Sequence, residues 1–163
     1  MIVNLINNED VSTDIDLTGV SIVAPKHPTR RILVVDDEAD RRQLSVDVLV
    51  SANFEVDTAV DGADGWESLR AKHFDLVITD NKMPRMTGIE MIEKLRYTRL
   101  PLPVIMATSQ LPTWEFERKP WLMPDATLEW PFSNDDLLAT VKQVLRTDDT
   151  NWRHMELLLP NYL

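Results

Sequence analysis

Residues 31–38 read RILVVDDE. Four apolar residues run without interruption into two adjacent carboxylates. A short run rich in branched aliphatics, bounded by polar residues, reads as a buried strand. Burial does not suit Asp36 and Asp37, because neighbouring like charges repel and a low dielectric sharpens that repulsion. The stretch therefore implies a buried strand whose end carries paired acids for a purpose.

Outward from it, the pattern alternates. Glu38 to Ser51 places Leu44, Val48 and Leu49 on one side of a helix, and FEVDTA (54–59) alternates as a second strand. Gly62 to Lys72 reads as a helix with Trp66 and Leu69 inward, and DLVITD (75–80) is a third strand that again ends in aspartate. Gly88 to Arg96 follows as a helix with Ile89, Ile92 and Leu95 on its inner side. PVIMAT (103–108) and ATLEW (126–130) complete five strands. Ser133 is expected to cap a last helix from Asn134 to Leu145, with Leu137, Leu138, Val141, Val144 and Leu145 as its stripe. Strands separated by helices of this length imply right-handed crossovers and a parallel sheet covered on both faces. That is a doubly wound five-stranded α/β domain in three layers. Such sheets bind ligands at the carboxyl ends of their strands, where Asp36, Asp37, Asp80 and Thr108 all fall.

The bulk numbers agree with one such domain and narrow its chemistry. The chain has 163 residues, 44% of them hydrophobic, enough for one full core. No apolar run approaches the roughly 18–20 residues of a membrane span, and no basic flank precedes an apolar stretch at the start, so neither membrane insertion nor a signal peptide is expected. Cysteine is absent, which excludes disulfides and thiolate chemistry and fits a cytoplasmic setting. The net charge of −10 argues against non-specific binding to nucleic acid or anionic membranes.

Three carboxylates at one sheet edge need compensation. A hard divalent cation with oxygen ligands supplies it, and Mg²⁺ suits few carboxylates with waters and a phosphoryl oxygen. A metal-neutralised carboxylate can attack phosphorus and hold an acyl phosphate. The bland alternative is that these aspartates only cap helices.

From about Arg31 to Arg146 the chain resembles the receiver domain of two-component response regulators, a CheY-like family with a flavodoxin-like fold. VVDDE matches the first acidic motif and TDNKMPRMTGIE the phosphoacceptor loop. The resemblance implies that Asp80 is the phosphoacceptor, that Asp36 and Asp37 help bind Mg²⁺, and that the backbone carbonyl of Lys82 completes the protein ligands. It implies that Thr108 is the switch hydroxyl. Thr87 and Gly88 stand where the family commonly has Asp-Gly. Pro84 fixes the loop, and Gly88 has a bland reading as relief of a tight turn.

The pattern also breaks. TLEWPF puts Trp130 where the family has the lysine of Lys-Pro-Phe, and indole is neutral with a single donor. Glu129 points the other way by alternation. Thr127 stands where an aromatic is frequent. Pro120 and Pro124 limit any helix in 111–126 to about two turns; Trp114, Phe116 and Trp121 in that segment are expected to be buried, with an exposed patch for a partner as the sharper option. An acidic extension (1–30) and a tail (147–163) flank the domain (31–146). The tail suggests an amphipathic helical turn or docking peptide, and His27, His73 and His154 are assigned no role.

The expected function is that of a single-domain receiver. It would accept a phosphoryl group on Asp80 from a histidine kinase or histidine phosphotransfer protein and signal by protein contact. A downstream target or a second copy would dock on 111–130, without direct DNA binding. Its only chemistry would be self-phosphorylation and self-dephosphorylation. The alternative is a phosphorylation-independent pseudo-receiver acting as a binding module. A Mg²⁺-dependent phosphohydrolase lacks an identifiable general acid.

Overall fold

In the computed structural model, residues 13–15, 21–23 and 29–158 are described, with side chains from 29 to 146. Two short strands, β1 (Thr13–Ile15) and β2 (Ser21–Val23), pair antiparallel, with Thr13 opposite Val23. The remaining strands are β3 (Arg31–Val35), β4 (Glu55–Ala59), β5 (Leu76–Thr79), β6 (Val104–Thr108) and β7 (Ala126–Glu129). They form one sheet in the order β4-β3-β5-β6-β7, parallel throughout. Helices α1 (Ala39–Ser51), α2 (Gly62–Ala71), α3 (Gly88–Tyr97), α4 (Thr113–Arg118) and α5 (Asn134–Leu158) alternate with these strands. The flavodoxin-like three-layer expectation holds, and every expected strand and the first three helices lie within one residue of their expected ends.

Strand alternation builds the two cores. Ile32, Val34, Leu76, Ile78, Ile105 and Leu128 face Val48 and Leu49 of α1 and Leu137 and Val141 of α5. Leu33, Val35, Val77, Val104 and Met106 face Leu69, Met91, Ile92 and Leu95 of α2 and α3, with Phe116 and Leu122 at the margin. Both faces of β3, β5 and β6 are thus apolar, which is why they read as unbroken runs.

Three expectations change. Leu44 is 44% exposed; the buried stripe of α1 is Ser45, Val48 and Leu49, and Leu44 lies about 100° away from Ser45 on the helix. Phe116 is buried, but Trp114 and Trp121 are 56% and 60% exposed. Residues two apart on a helix point about 200° apart, so Trp114 and Phe116 cannot share an inward face. The last helix does not stop at Leu145 but continues to Leu158. The expected short α4 is found, followed by a single 3-10 turn, Pro120–Leu122. How the acidic extension and the tail pack lies outside the described side chains.

Candidate functional site

The sheet order reverses direction between β3 and β5, so the chain leaves these neighbours toward opposite edges and opens a crevice at their carboxyl ends. Asp36 follows β3 and Asp80 follows β5. The backbone N–H of Asp36 donates to Ala59 O at 3.2 Å and that of Asp80 to Val35 O at 2.9 Å, which fixes both residues as continuations of the ladder. Both are buried, at 6% and 4% exposure, whereas Asp37 faces solvent. One carboxylate oxygen from each of Asp36, Asp37 and Asp80 can be chosen so that all three lie within 4.8 Å of one another. Oxygen-only donors at this spacing fit a hard cation such as Mg²⁺, with water completing the shell.

Each buried carboxylate is already engaged. Asp36 Oδ1 accepts the Glu38 N–H at 2.8 Å, so Asp36 also orders the chain where α1 begins. Asp80 Oδ1 accepts the Asn81 N–H at 2.6 Å. Arg41, on the first turn of α1, reaches back into the crevice. Its Nη2 donates to Asp36 Oδ1 at 3.0 Å and to Asp80 Oδ2 at 2.9 Å, and lies 3.8 Å from Asp37 Oδ1. Burial raises the Asp36 carboxyl above its ordinary range; the Glu38 N–H and Arg41 oppose this, and the nearby Asp80 adds to it.

The loop after Asp80 is tied at both ends. Asn81 O accepts the Gly88 N–H at 3.0 Å, and Asn81 Oδ1 accepts the Ile89 N–H at 3.2 Å. A Cβ on Gly88 would stand 2.2 Å from Asp80 O. Gly88 is therefore demanded by close packing against the Asp80 backbone rather than by turn relief. Thr87 caps α3 in a reciprocal pair with Glu90: Glu90 N–H donates to Thr87 Oγ1, and Glu90 Oε2 accepts the Thr87 N–H. Midway, Arg85 adopts a left-handed backbone with φ 59°. Its guanidinium binds Asp61 and Asp64 at the start of α2, holding the loop against that helix. Asp61 in turn caps α2 by accepting from Ala63 and Asp64 N–H at 2.8 and 3.0 Å.

Thr108 is buried at the end of β6. Among the described residues its hydroxyl has only long contacts, 3.4 Å from Gln110 N and 3.5 Å from Gln110 O, too long to anchor a rotamer firmly. The Lys82 ammonium donates to Gln110 Oε1 at 2.7 Å, joining the β5–α3 and β6–α4 loops. Trp130, just beyond β7, donates its backbone N–H to Thr108 O at 3.1 Å. Its ring packs on Phe132 with centroids 3.9 Å apart. The indole Nε1 is buried without a hydrogen-bond partner among the described residues.

The structure thus brings Asp36, Asp37 and Asp80 together and sets Thr108 at the carboxyl end of the adjacent strand, with Trp130 beside it. Arg41, Asp61 and Arg85 were not anticipated. The signal for Arg41 was present: a basic residue one helical turn after Asp37 faces back along the helix toward the strand end. Asp61 before a Gly-Ala-Asp start was a readable cap, but its pairing with Arg85 depends on a loop distant in sequence.

The response regulator receiver domain family model matches residues 32–142. Among curated relatives, the transcriptional regulatory protein DltR of Streptococcus agalactiae is 32% identical over 117 residues, covering 72% of this chain and 51% of its own. The response regulator ArlR of Staphylococcus aureus is 30% identical over 116 residues, covering 71% and 52%. The chain therefore spans about half the length of these relatives. Among solved structures, a CheY-like receiver domain protein from Methanospirillum hungatei superposes with TM-score 0.72 at 27% identity, over 76% of this chain and 99% of that one. The response regulator TrrA of Thermotoga maritima, solved in complex with Mg²⁺-BeF, does so with TM-score 0.64 at 30% identity, over 71% and 99%. With the crevice, its acid cluster and these likenesses pointing the same way, the chain belongs to the response regulator receiver domain family, the signal-transduction modules of two-component phosphorelays.

Proposed function

We propose that this receiver is phosphorylated on Asp80 by a histidine kinase or histidine phosphotransfer protein and signals through protein contacts. What supports the reading most is the meeting of Asp36, Asp37 and Asp80 at the switch point between β3 and β5. Asp36, Asp37, Asp80 and the Lys82 carbonyl would hold Mg²⁺. When bound, the ion would neutralise the acids and draw charge from the transferring phosphoryl oxygens. An Asp80 oxygen attacks phosphorus, the bond from phosphorus to the donor's imidazole nitrogen breaks, and the electron pair leaves with that nitrogen. The burial of Asp80 limits the access of water to the acyl phosphate. The loosely held Thr108 hydroxyl is free to turn toward the new oxygens. Exposed Trp114 and Trp121 give the 111–130 segment a surface for a target or a second copy.

Trp130 occupies the position of the family lysine in this reading, which removes a cation from the transition state. Losing one such contact costs about 3 kcal/mol, or on the order of 10²-fold in rate. The test is mass analysis after incubation with a small phosphodonor and Mg²⁺, on wild type, Asp80→Asn and Trp130→Lys. One added phosphoryl group on the wild type, none on Asp80→Asn and faster labelling of Trp130→Lys are expected. A folded wild type that stays unlabelled while Trp130→Lys labels would favour the pseudo-receiver, for which the neutral Trp130 speaks. Absence of label on both would remove the phosphoacceptor assignment.

A further inference from the structure

Arg41 lies between two of the three carboxylates that could hold a metal. A Mg²⁺ ion draws its oxygen ligands to about 2.1 Å. The Arg41 Nη2 lies 3.0 Å from Asp36 Oδ1 and 2.9 Å from Asp80 Oδ2, so it bridges the two buried carboxylates and occupies a lone pair on one oxygen of each. Asp36 and Asp80 cannot give those same lone pairs to an ion while the guanidinium stays. Its charge also removes part of the repulsion that would otherwise favour the ion's arrival.

The side chain has a way out. Arg41 is one-fifth exposed, and the more exposed Asp37 and Glu38 carboxylates lie 3.8 Å from Nη2 and 3.2 Å from Nε. Nε is buried and makes no hydrogen bond among the described residues, since the Glu38 contact lacks the geometry for one. A modest outward pivot would give this nitrogen a partner and keep the charge paired near the rim.

We propose that Arg41 is a resident counter-cation that competes with the divalent ion for Asp36 and Asp80, so that the crevice loads metal only when the guanidinium swings outward. This rests on the metal-binding reading above and adds to it a residue that sets the site's affinity. It makes a weak metal site out of a complete set of carboxylates, and it makes the metal-free crevice self-neutralised.

The experiment is calorimetric titration of the full chain with MgCl₂, without any phosphodonor, on wild type and Arg41→Gln. It is paired with ¹⁵N-detected observation of the Arg41 guanidinium in the wild type during the same titration. Arg41→Gln is expected to bind Mg²⁺ about tenfold more tightly or better, a difference of about 1.4 kcal/mol. The wild-type guanidinium signal is expected to move in step with saturation. Equal or weaker binding by Arg41→Gln overturns the proposal, as does a guanidinium signal unchanged at saturating Mg²⁺. If Arg41→Gln does not fold, the guanidinium signal decides alone. If neither chain binds Mg²⁺, arginine is not what limits loading and the proposal is lost. Phosphodonor labelling of Asp80 then judges the receiver reading separately.

Discussion

Asp61 shows how one residue can serve the site without touching it. Burial pushes its carboxyl up, but N–H donors from Asp64 and Ala63 and the Arg85 guanidinium outweigh that, and the net shift is downward. A carboxyl held below its unfolded value contributes stability that is present above the ordinary value near pH 4 and is lost as pH falls through the depressed one. Asp61→Ala should therefore cost about 1–2 kcal/mol at neutral pH, mostly from the lost cap. The gap to wild type should close in acid. Urea midpoints from pH 6 down to pH 2 would show this, and parallel curves would contradict it. Much of the site was legible in the sequence at this scale. Asp36, Asp37 and Asp80 were visible because carboxylates at strand ends have few structural uses. The Arg41 and Asp61 roles were less visible, because an ion pair depends on which elements become neighbours.

Among elements, the strands and the first three helices could be read from periodicity because each buries a regular stripe. Segment 113–122 could be read as a short helix but not for which aromatics it buries, since its prolines leave too few turns for a stripe and its aromatics divide between core and solvent. The end of α5 was missed for a related reason: the expected stripe closes at Leu145, whereas the backbone helix runs on to Leu158. Helix α3 gives a sharper test. In the sequence Thr87 stands only as a departure from an Asp-Gly pair; in the structure its hydroxyl accepts the Glu90 N–H at 3.2 Å as an N-cap. Aspartate caps equally well. Thr87→Ala should cost about 1 kcal/mol, and Thr87→Asp less, because it keeps the cap but sets a carboxylate beside Glu90 Oε2, to which the Thr87 hydroxyl donates at 2.9 Å. Equal losses in both variants would show that the hydroxyl itself, rather than capping, is what matters. Gly88→Ala is the more damaging change, at about 1–3 kcal/mol, because its Cβ would collide with the carbonyl of Asp80 itself. Thermal melting of the three variants would check this order.

For the molecule as a whole, the acid cluster predicts linkage between metal and fold. An ion that binds the native crevice and not the unfolded chain stabilises by RT ln(1 + [L]/Kd), about 1 kcal/mol when the ion is several-fold above Kd. Millimolar Mg²⁺ should raise the melting temperature of the wild type and raise that of Asp37→Asn less. Identical wild-type curves with and without Mg²⁺ would rule out binding at these concentrations.

Among the described residues, the sheet order also leaves β4 and β7 as edge strands. Unpaired edges invite another chain to add a strand. β4 carries exposed Glu55 and half-buried Asp57, and β7 is four residues long, ends in exposed Glu129 and runs into Pro131. Aligning two copies along β7 would bring Glu129 carboxylates together in a chain already carrying −10, whereas Glu55 and Asp57 of β4 are already paired with Arg31 and Lys72. Proline beyond β7 withholds the next backbone donor. The fold is thereby guarded against growing into a ribbon shared by many copies, and concentrated solutions should remain free of cross-strand fibrils.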